Sequence, residues 1–128
     1  MTLWARIDLD GRACVGKVEG ETIHLHDGGM FEGGDATGRS VPTAEARWLT
    51  PTVPTKMVAL WNNFHAAAEK NGWAIPAEPL TFIKTPNAFN AHGRPIPAPK
   101  SYDGRVVYEG ELGIVIGKAC TATSVDTA

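Results

Sequence analysis

Three tight-turn signals cut the first thirty residues so closely that only short antiparallel strands fit between them. Asp10-Gly11, Glu19-Gly20 and Asp27-Gly28-Gly29 each favour the sharp reversal of a hairpin. The runs they bound have the matching pattern. Leu3, Ala5, Ile7 and Leu9 recur at a period of two, which places them on one face of a strand. A second run spans Ala13 to Val18 and a third spans Thr22 to His26, so an antiparallel meander is expected. From about Met30 to Thr55 the chain is rich in Gly, Thr and Pro with no sustained period, and reads as loops and a connection. A small N-terminal β domain is expected over residues 1–54, followed by a second domain over residues 55–128.

The second domain opens with Met57 to Trp61, a compact apolar run suited to a buried strand. Asn62 to Gly72 then reads as a short helix: an Asn can cap its start, alanines fill its middle, and Asn71-Gly72 supplies a left-handed stop. Leu80 to Lys84 suits another strand. Pro86, Pro95, Pro97 and Pro99 keep the following backbone irregular as far as about Asp103. Arg105 to Ile116 reads as the last strand, with Tyr108, Gly110, Leu112, Ile114 and Ile116 on one face and Val107, Glu109, Glu111, Gly113 and Val115 on the other. Beyond Lys118, Ser124 to Ala128 has the look of a capped helix opening that does not continue. The expected class is mainly β, in an α+β arrangement.

Composition narrows the partners. With 43% hydrophobic and 20% charged residues, the chain is that of a globular protein. A formal charge of −2 and the lack of any Lys/Arg cluster offer no footprint for nucleic acid or for an anionic membrane. Neither a signal peptide nor a membrane-spanning run is visible. Two widely separated cysteines, Cys14 and Cys120, read as free, buried thiols in a reducing cytoplasm.

The residues with chemical potential are few. Glu109 and Glu111, two apart on a strand, would project both carboxylates from one face about 6 to 7 Å apart at the backbone. Such a pair can converge on a hard cation, since Mg²⁺ prefers carboxylate and water oxygens. Taken alone, it equally describes a solvated strand face. His65 and Glu69, four apart on a helix, share a face where the carboxylate can orient the imidazole; an exposed His beside a solvated Glu has the same spacing. His24 and His26 share a strand face but lack a third ligand nearby, so a hairpin surface is expected. Trp61 and Phe64 are expected in the core. Lys84 and Tyr102 are weaker candidates for lining a site, and Asp103 lies beside Tyr102.

The ordered set of segments is more specific than any one of them. Tyr108-Glu109-Gly110-Glu111-Leu112-Gly113-Ile114-Val115-Ile116-Gly117-Lys118 resembles the YEGEL-x-VVIGK signature of the fumarylacetoacetate hydrolase family. Pro79 to Phe89 resembles that family's EP-x-x-FLKPPSAL segment, Gly93-Arg94-Pro95-Ile96 its G-x-PI turn, and Leu60 to Glu69 its GLNY-x-DHA-x-E segment. The resemblance covers roughly residues 56 to 118. It implies a small N-terminal meander followed by part of a mixed β-roll, and makes Glu109 and Glu111 ligands of Mg²⁺, or of Mn²⁺ or Ca²⁺. A third ligand, an Asp well past Glu111, falls beyond this sequence, so the set expected here is incomplete. It further implies a His/Glu pair on a mobile lid that activates water. With Asn62 and Glu69 matched to the family's Asn and Glu, the family's His position is Ala66, and His65 lies one place earlier. The implied substrate is a small 2-oxo acid or acylpyruvate, cleaved through a metal-stabilised enolate in a C–C bond hydrolysis. An isomerase or decarboxylase of homoprotocatechuate-type aromatic catabolism is the alternative, as is a non-catalytic assembly module. A homodimer, with a further C-terminal half, is the expected assembly.

Overall fold

The structure, a computed structural model, describes residues 1–127 and forms two compact units, Met1–Ile96 and the chain from Pro97 onward. In the first unit, β1 (Leu3–Leu9), β2 (Arg12–Glu19) and β3 (Thr22–His26) form the expected antiparallel meander. Leu9 pairs with Arg12 across a two-residue turn, with Asp10 at φ 52° and Gly11 at φ 80°. Positive φ at both central residues is the condition for the hairpin turn that matches strand twist. The Asp8 carboxylate accepts the Gly11 N–H at 2.8 Å and fixes the reversal.

Two further strands, β4 (Ala36–Pro42) and β5 (Arg47–Trp48), complete a five-stranded sheet in the order β4-β3-β2-β1-β5. The sequence reading assigned this stretch to loops. Its side chains give no period because β4 turns only Val41 toward the core; backbone pairing to β3 makes the strand. A register shift between His24 and His26 is stitched by Thr37, whose hydroxyl donates to the Leu25 carbonyl at 3.0 Å.

The core lies on one face of this sheet. Ala5, Ile7, Ile23 and Leu25 are buried, with Leu9, Cys14, Val18, Val41, Ala46 and Trp48 packed around them. Gly16 sits between Ala5 and Leu25 in register, where a Cβ would lie 2.6 Å from the His24 carbonyl oxygen and 2.7 Å from Ile23 Cγ2. No side chain fits there without moving the ladder.

β6 (Met57–Trp61) and β7 (Leu80–Lys84) form the expected strands and pair antiparallel as a separate two-stranded ribbon. Its register places Trp61, Ala59 and Met57 with Leu80, Phe82 and Lys84 on one face, and Leu60 and Val58 with Thr81 and Ile83 on the other. Both faces are apolar, the pattern of strands covered on both sides, yet their large side chains are exposed here. Trp61 and Phe64, expected in the core, are likewise exposed, at 50% and 56%. The helix α1 (His65–Asn71) stops at Gly72 as expected, with Gly72 at φ 67°. It starts later than expected, and Asn62 does not cap it.

The second unit corrects the sequence reading most. Residues 105–116 form no strand, although the run is strongly apolar and was expected to be one. A strand requires a ladder partner, and this run has none among the described residues. Val106, Val107, Tyr108, Leu112, Ile114 and Ile116 are all exposed, Tyr108 at 98%. Cys120, expected to be buried, is exposed because this unit buries no side chain among the described residues; Cys14 is half-buried, and both are free thiols. A single 3-10 turn, Val125–Thr127, stands where the helix opening was read, with Ser124 Oγ and Thr127 Oγ1 2.8 Å apart. The chain is mainly β, built of antiparallel pairs with few helices, and among the described residues no helix is long and apolar enough to cross a membrane.

Stability should therefore concentrate in the five-stranded sheet. Ile23→Ala is expected to cost about 2–5 kcal/mol and Gly16→Ala about 1–3 kcal/mol in urea unfolding, with Leu112→Ala nearly silent. A Leu112→Ala loss as large as that of Ile23→Ala would contradict this placement of the core.

Candidate metal-binding and catalytic residues

Helix α1 owes its short span to strong signals at its end rather than its start. Ala66, Ala67 and Ala68 favour helix, and Ala68 is its one buried residue. Phe64, in extended backbone, caps the start through its carbonyl alone, accepting from Ala67 and Ala68 at 3.1 and 3.0 Å. At the far end the Gly72 N–H donates to the Glu69 carbonyl at 3.1 Å and the Trp73 N–H to the Ala68 carbonyl at 2.9 Å. Those two bonds together are the Schellman motif, which satisfies carbonyls the helix would leave open. His65 is the first helical residue and Glu69 follows one turn later on the same face. Both are exposed, and neither a hydrogen bond nor an ion pair joins them among the described residues. The fold thus supplies their shared face without supplying their contact.

Lys84 ends β7 opposite Met57, half-buried, with Nζ 5.7 Å from the centre of the Phe82 ring two residues back on the same face. Tyr102 is exposed. Its hydroxyl donates to the Arg105 carbonyl at 3.4 Å and its ring folds over Gly104; Asp103, between them, is exposed. Glu109 and Glu111 are exposed on irregular backbone, not side by side on a strand. Their carboxylates are the right donors for a hard cation. Among the described residues, however, no three His, Cys, Asp or Glu side chains converge to hold an ion.

His24 and His26 do share a face of β3, beside Lys17 and Val15. They are separately engaged. His24 Nε2 lies 3.8 Å from Glu19 Oε2, while His26 Nδ1 is 2.9 Å from the Gly34 carbonyl oxygen and its ring meets Trp4 edge-on at 5.1 Å. They form a hairpin surface, as their spacing implied.

One polar residue makes a different contact from the helix cap expected of it. Asn62 leaves β6 at φ 53°, and its Nδ2 donates to the Ala74 carbonyl at 2.9 Å across the base of the helix. Its Oδ1 is buried with no partner among the described residues. The available signal was an Asn at a strand exit, where the left-handed region is open to it.

Comparison with known proteins identifies the segments that carry these residues. A family model described as Fumarylacetoacetate (FAA) hydrolase C-terminal matches residues 56–128, more than half of the chain. The chain belongs to the fumarylacetoacetate hydrolase family. A second model, Rv2993c-like, N-terminal, matches residues 3–51. The chain is 39% identical over 84 residues to Protein Rv2993c of Mycobacterium tuberculosis, covering 66% of this chain and 31% of that protein. It is 39% identical over 74 residues to the Oxaloacetate tautomerase fahd-1, mitochondrial, of Caenorhabditis elegans, covering 58% and 34%. A 2,4-didehydro-3-deoxy-L-rhamnonate hydrolase of Sphingomonas sp. is 31% identical over 125 residues, covering 95% and 43%. Among solved structures, an uncharacterized protein from Mycobacterium abscessus superposes with a TM-score of 0.52 at 30% identity, covering 66% and 33%. The chain thus spans about a third of the length of most of these relatives.

The exposed carboxylate pair sets an expectation for the 128-residue chain by itself. Two exposed carboxylates on irregular backbone should bind Mg²⁺ no more tightly than about 10⁻³ M in calorimetry, and Glu109→Gln with Glu111→Gln should abolish any such heat. Micromolar binding would show that the chain assembles a full site unaided.

Proposed function

We propose that this chain contributes to the active site of a family enzyme that acts on a small 2-oxo acid of the acylpyruvate type and hydrolyses a carbon–carbon bond through an enolate. The observation that carries the reading is the family match over residues 56–128. It takes in Glu109, Glu111, His65 and Glu69 in one continuous segment. A divalent cation, Mg²⁺ or Mn²⁺, when bound, supplies the Lewis-acid charge that favours an enolate.

The chain's own residues have separate tasks in this reading. Glu109 and Glu111 hold the cation. His65 takes a proton from water, and Glu69, one turn along the same helix face, orients the imidazole for that transfer. Lys84 and Tyr102 are each candidates for contact with the substrate. Assembly as a homodimer, with the further length that the relatives possess, belongs to the same proposal.

The relative named for hydrolysis of a 2,4-didehydro-3-deoxy acid supports the hydrolytic form. A second reading, isomerisation between keto and enol forms, is favoured by the relative named as an oxaloacetate tautomerase. Both reactions pass through the same enolate, and decarboxylation would as well.

The test uses the full product of the reading frame, assayed by loss of the enol absorbance of an acylpyruvate. Consumption should require Mg²⁺ or Mn²⁺, and Glu109→Gln should lower kcat/KM by about 100-fold or more. Full activity in excess EDTA would end the proposal. Ketonisation of enol-oxaloacetate without any carbon–carbon cleavage would select the isomerase form instead.

A further inference from the structure

The segment between β6 and Ala74 is closed at its base by two adjacent contacts that no sequence motif announced. Trp61, the last residue of β6, stacks on Trp73 with ring centroids 5.2 Å apart and planes tilted by 37°. Asn62, the next residue, donates from Nδ2 to the carbonyl of Ala74, the residue after Trp73, at 2.9 Å. Between these rungs lies the whole of α1. Trp73 is itself held in place, because its N–H closes the Schellman motif on Ala68 at 2.9 Å, and Ala68 is the buried residue of the helix. Asn71 adds a bond from Nδ2 to the Ala67 carbonyl at 2.7 Å. The helix end, the indole pair and the Asn62 bridge are therefore one connected set of contacts.

The energetics single out Asn62 within that set. It adopts φ 53°, a region that costs most side chains but suits Asn. It also keeps Oδ1 buried without a partner, which is expensive for a polar atom. A residue held in that conformation is maintained by the contact it makes. The contact fixes where the helix leaves the ribbon, hence where His65, three residues on, and Glu69 begin. A seven-residue helix is far too short to persist by propensity alone, so its order comes from such anchors.

We infer that Asn62 is a positioning residue: with the Trp61–Trp73 pair it clasps the base of α1, so that His65 and Glu69 are carried as one rigid unit. The purpose of that unit rests on the proposed function. The clasp does not, and it can be read without any activity.

Asn62→Gly keeps the left-handed backbone accessible and removes the bridge together with the unpaired Oδ1, whereas Asn62→Asp keeps the shape but offers no donor to the Ala74 carbonyl. In both variants of the full chain the amides of Ala68, Gly72 and Trp73 should exchange about fivefold faster, with those of β1 to β3 unchanged. The exciton signal of the Trp61–Trp73 pair in circular dichroism should fall, and the His65 ring resonances should shift while those of His24 and His26 stay. Trp73→Phe should retain most of the protection of α1, and Trp73→Ala should lose it. Unchanged exchange and an unmoved His65 in both Asn62 variants would overturn the inference. So would equal loss of protection in β1 to β3, because Asn62 would then serve general stability. A metal-independent enzyme with the clasp effects intact would refute the proposed function and leave the clasp standing.

Discussion

Backbone pairing governs which parts of this chain take on fixed structure, and it overrides side-chain pattern in both directions. β4 reads as a loop from its residues, Ala36 to Pro42, and is a strand because the edge of β3 gives its N–H and C=O groups partners. Residues 105–116 are a strongly apolar run that reads as a strand and form none, because no edge among the described residues receives them. Since buried backbone groups must be paired, an apolar run without a partner edge stays in water, whatever its hydropathy. The core, the ribbon and the exposed carboxylates all follow from that one constraint.

Local chemistry is what the sequence expressed well. Asp10-Gly11 specified its turn because few residue pairs tolerate positive φ together, and Gly72 specified the helix stop for the same reason. The inward placement of Ala5 and Ile7 was legible because one face of the meander is buried and the other wet, whereas nothing in the Thr22–His26 run singled out Ile23 and Leu25. Non-local facts were not legible. Neither the two-residue β5 nor the Asn62 bridge to Ala74 has a periodic trace, since each depends on a partner many residues away. The exposure of Trp61 and Phe64 was equally hidden, as apolar composition reports a preference for burial and not the presence of a cover.

The candidate site divides along the same line. The one-turn spacing of His65 and Glu69 is intrinsic to a helix, so reading it required only the helix. The Glu109–Glu111 pair has a defined spacing only in extended backbone. Family membership identifies the segment, and the fold of these 127 residues leaves it without the sheet that would set the geometry.

Magnitudes show why carboxylate placement and strand formation belong to a single event. Ordering the eleven residues from Val106 to Ile116 costs on the order of 10–20 kcal/mol in backbone entropy, at roughly 1–2 kcal/mol each. Two carboxylates and one cation cannot offset that, because each ligand gained also exchanges water for protein oxygen. Burial can: Val106, Val107, Leu112, Ile114, Val115 and Ile116 would each contribute about 1.5–3 kcal/mol when covered, a total of the same order as the entropy. The near balance makes ladder pairing the deciding term, with cation affinity setting only the remainder. On the proposed reading, Glu109 and Glu111 acquire their ligand geometry when the apolar faces around them are covered, so metal binding and completion of the sheet are thermodynamically linked.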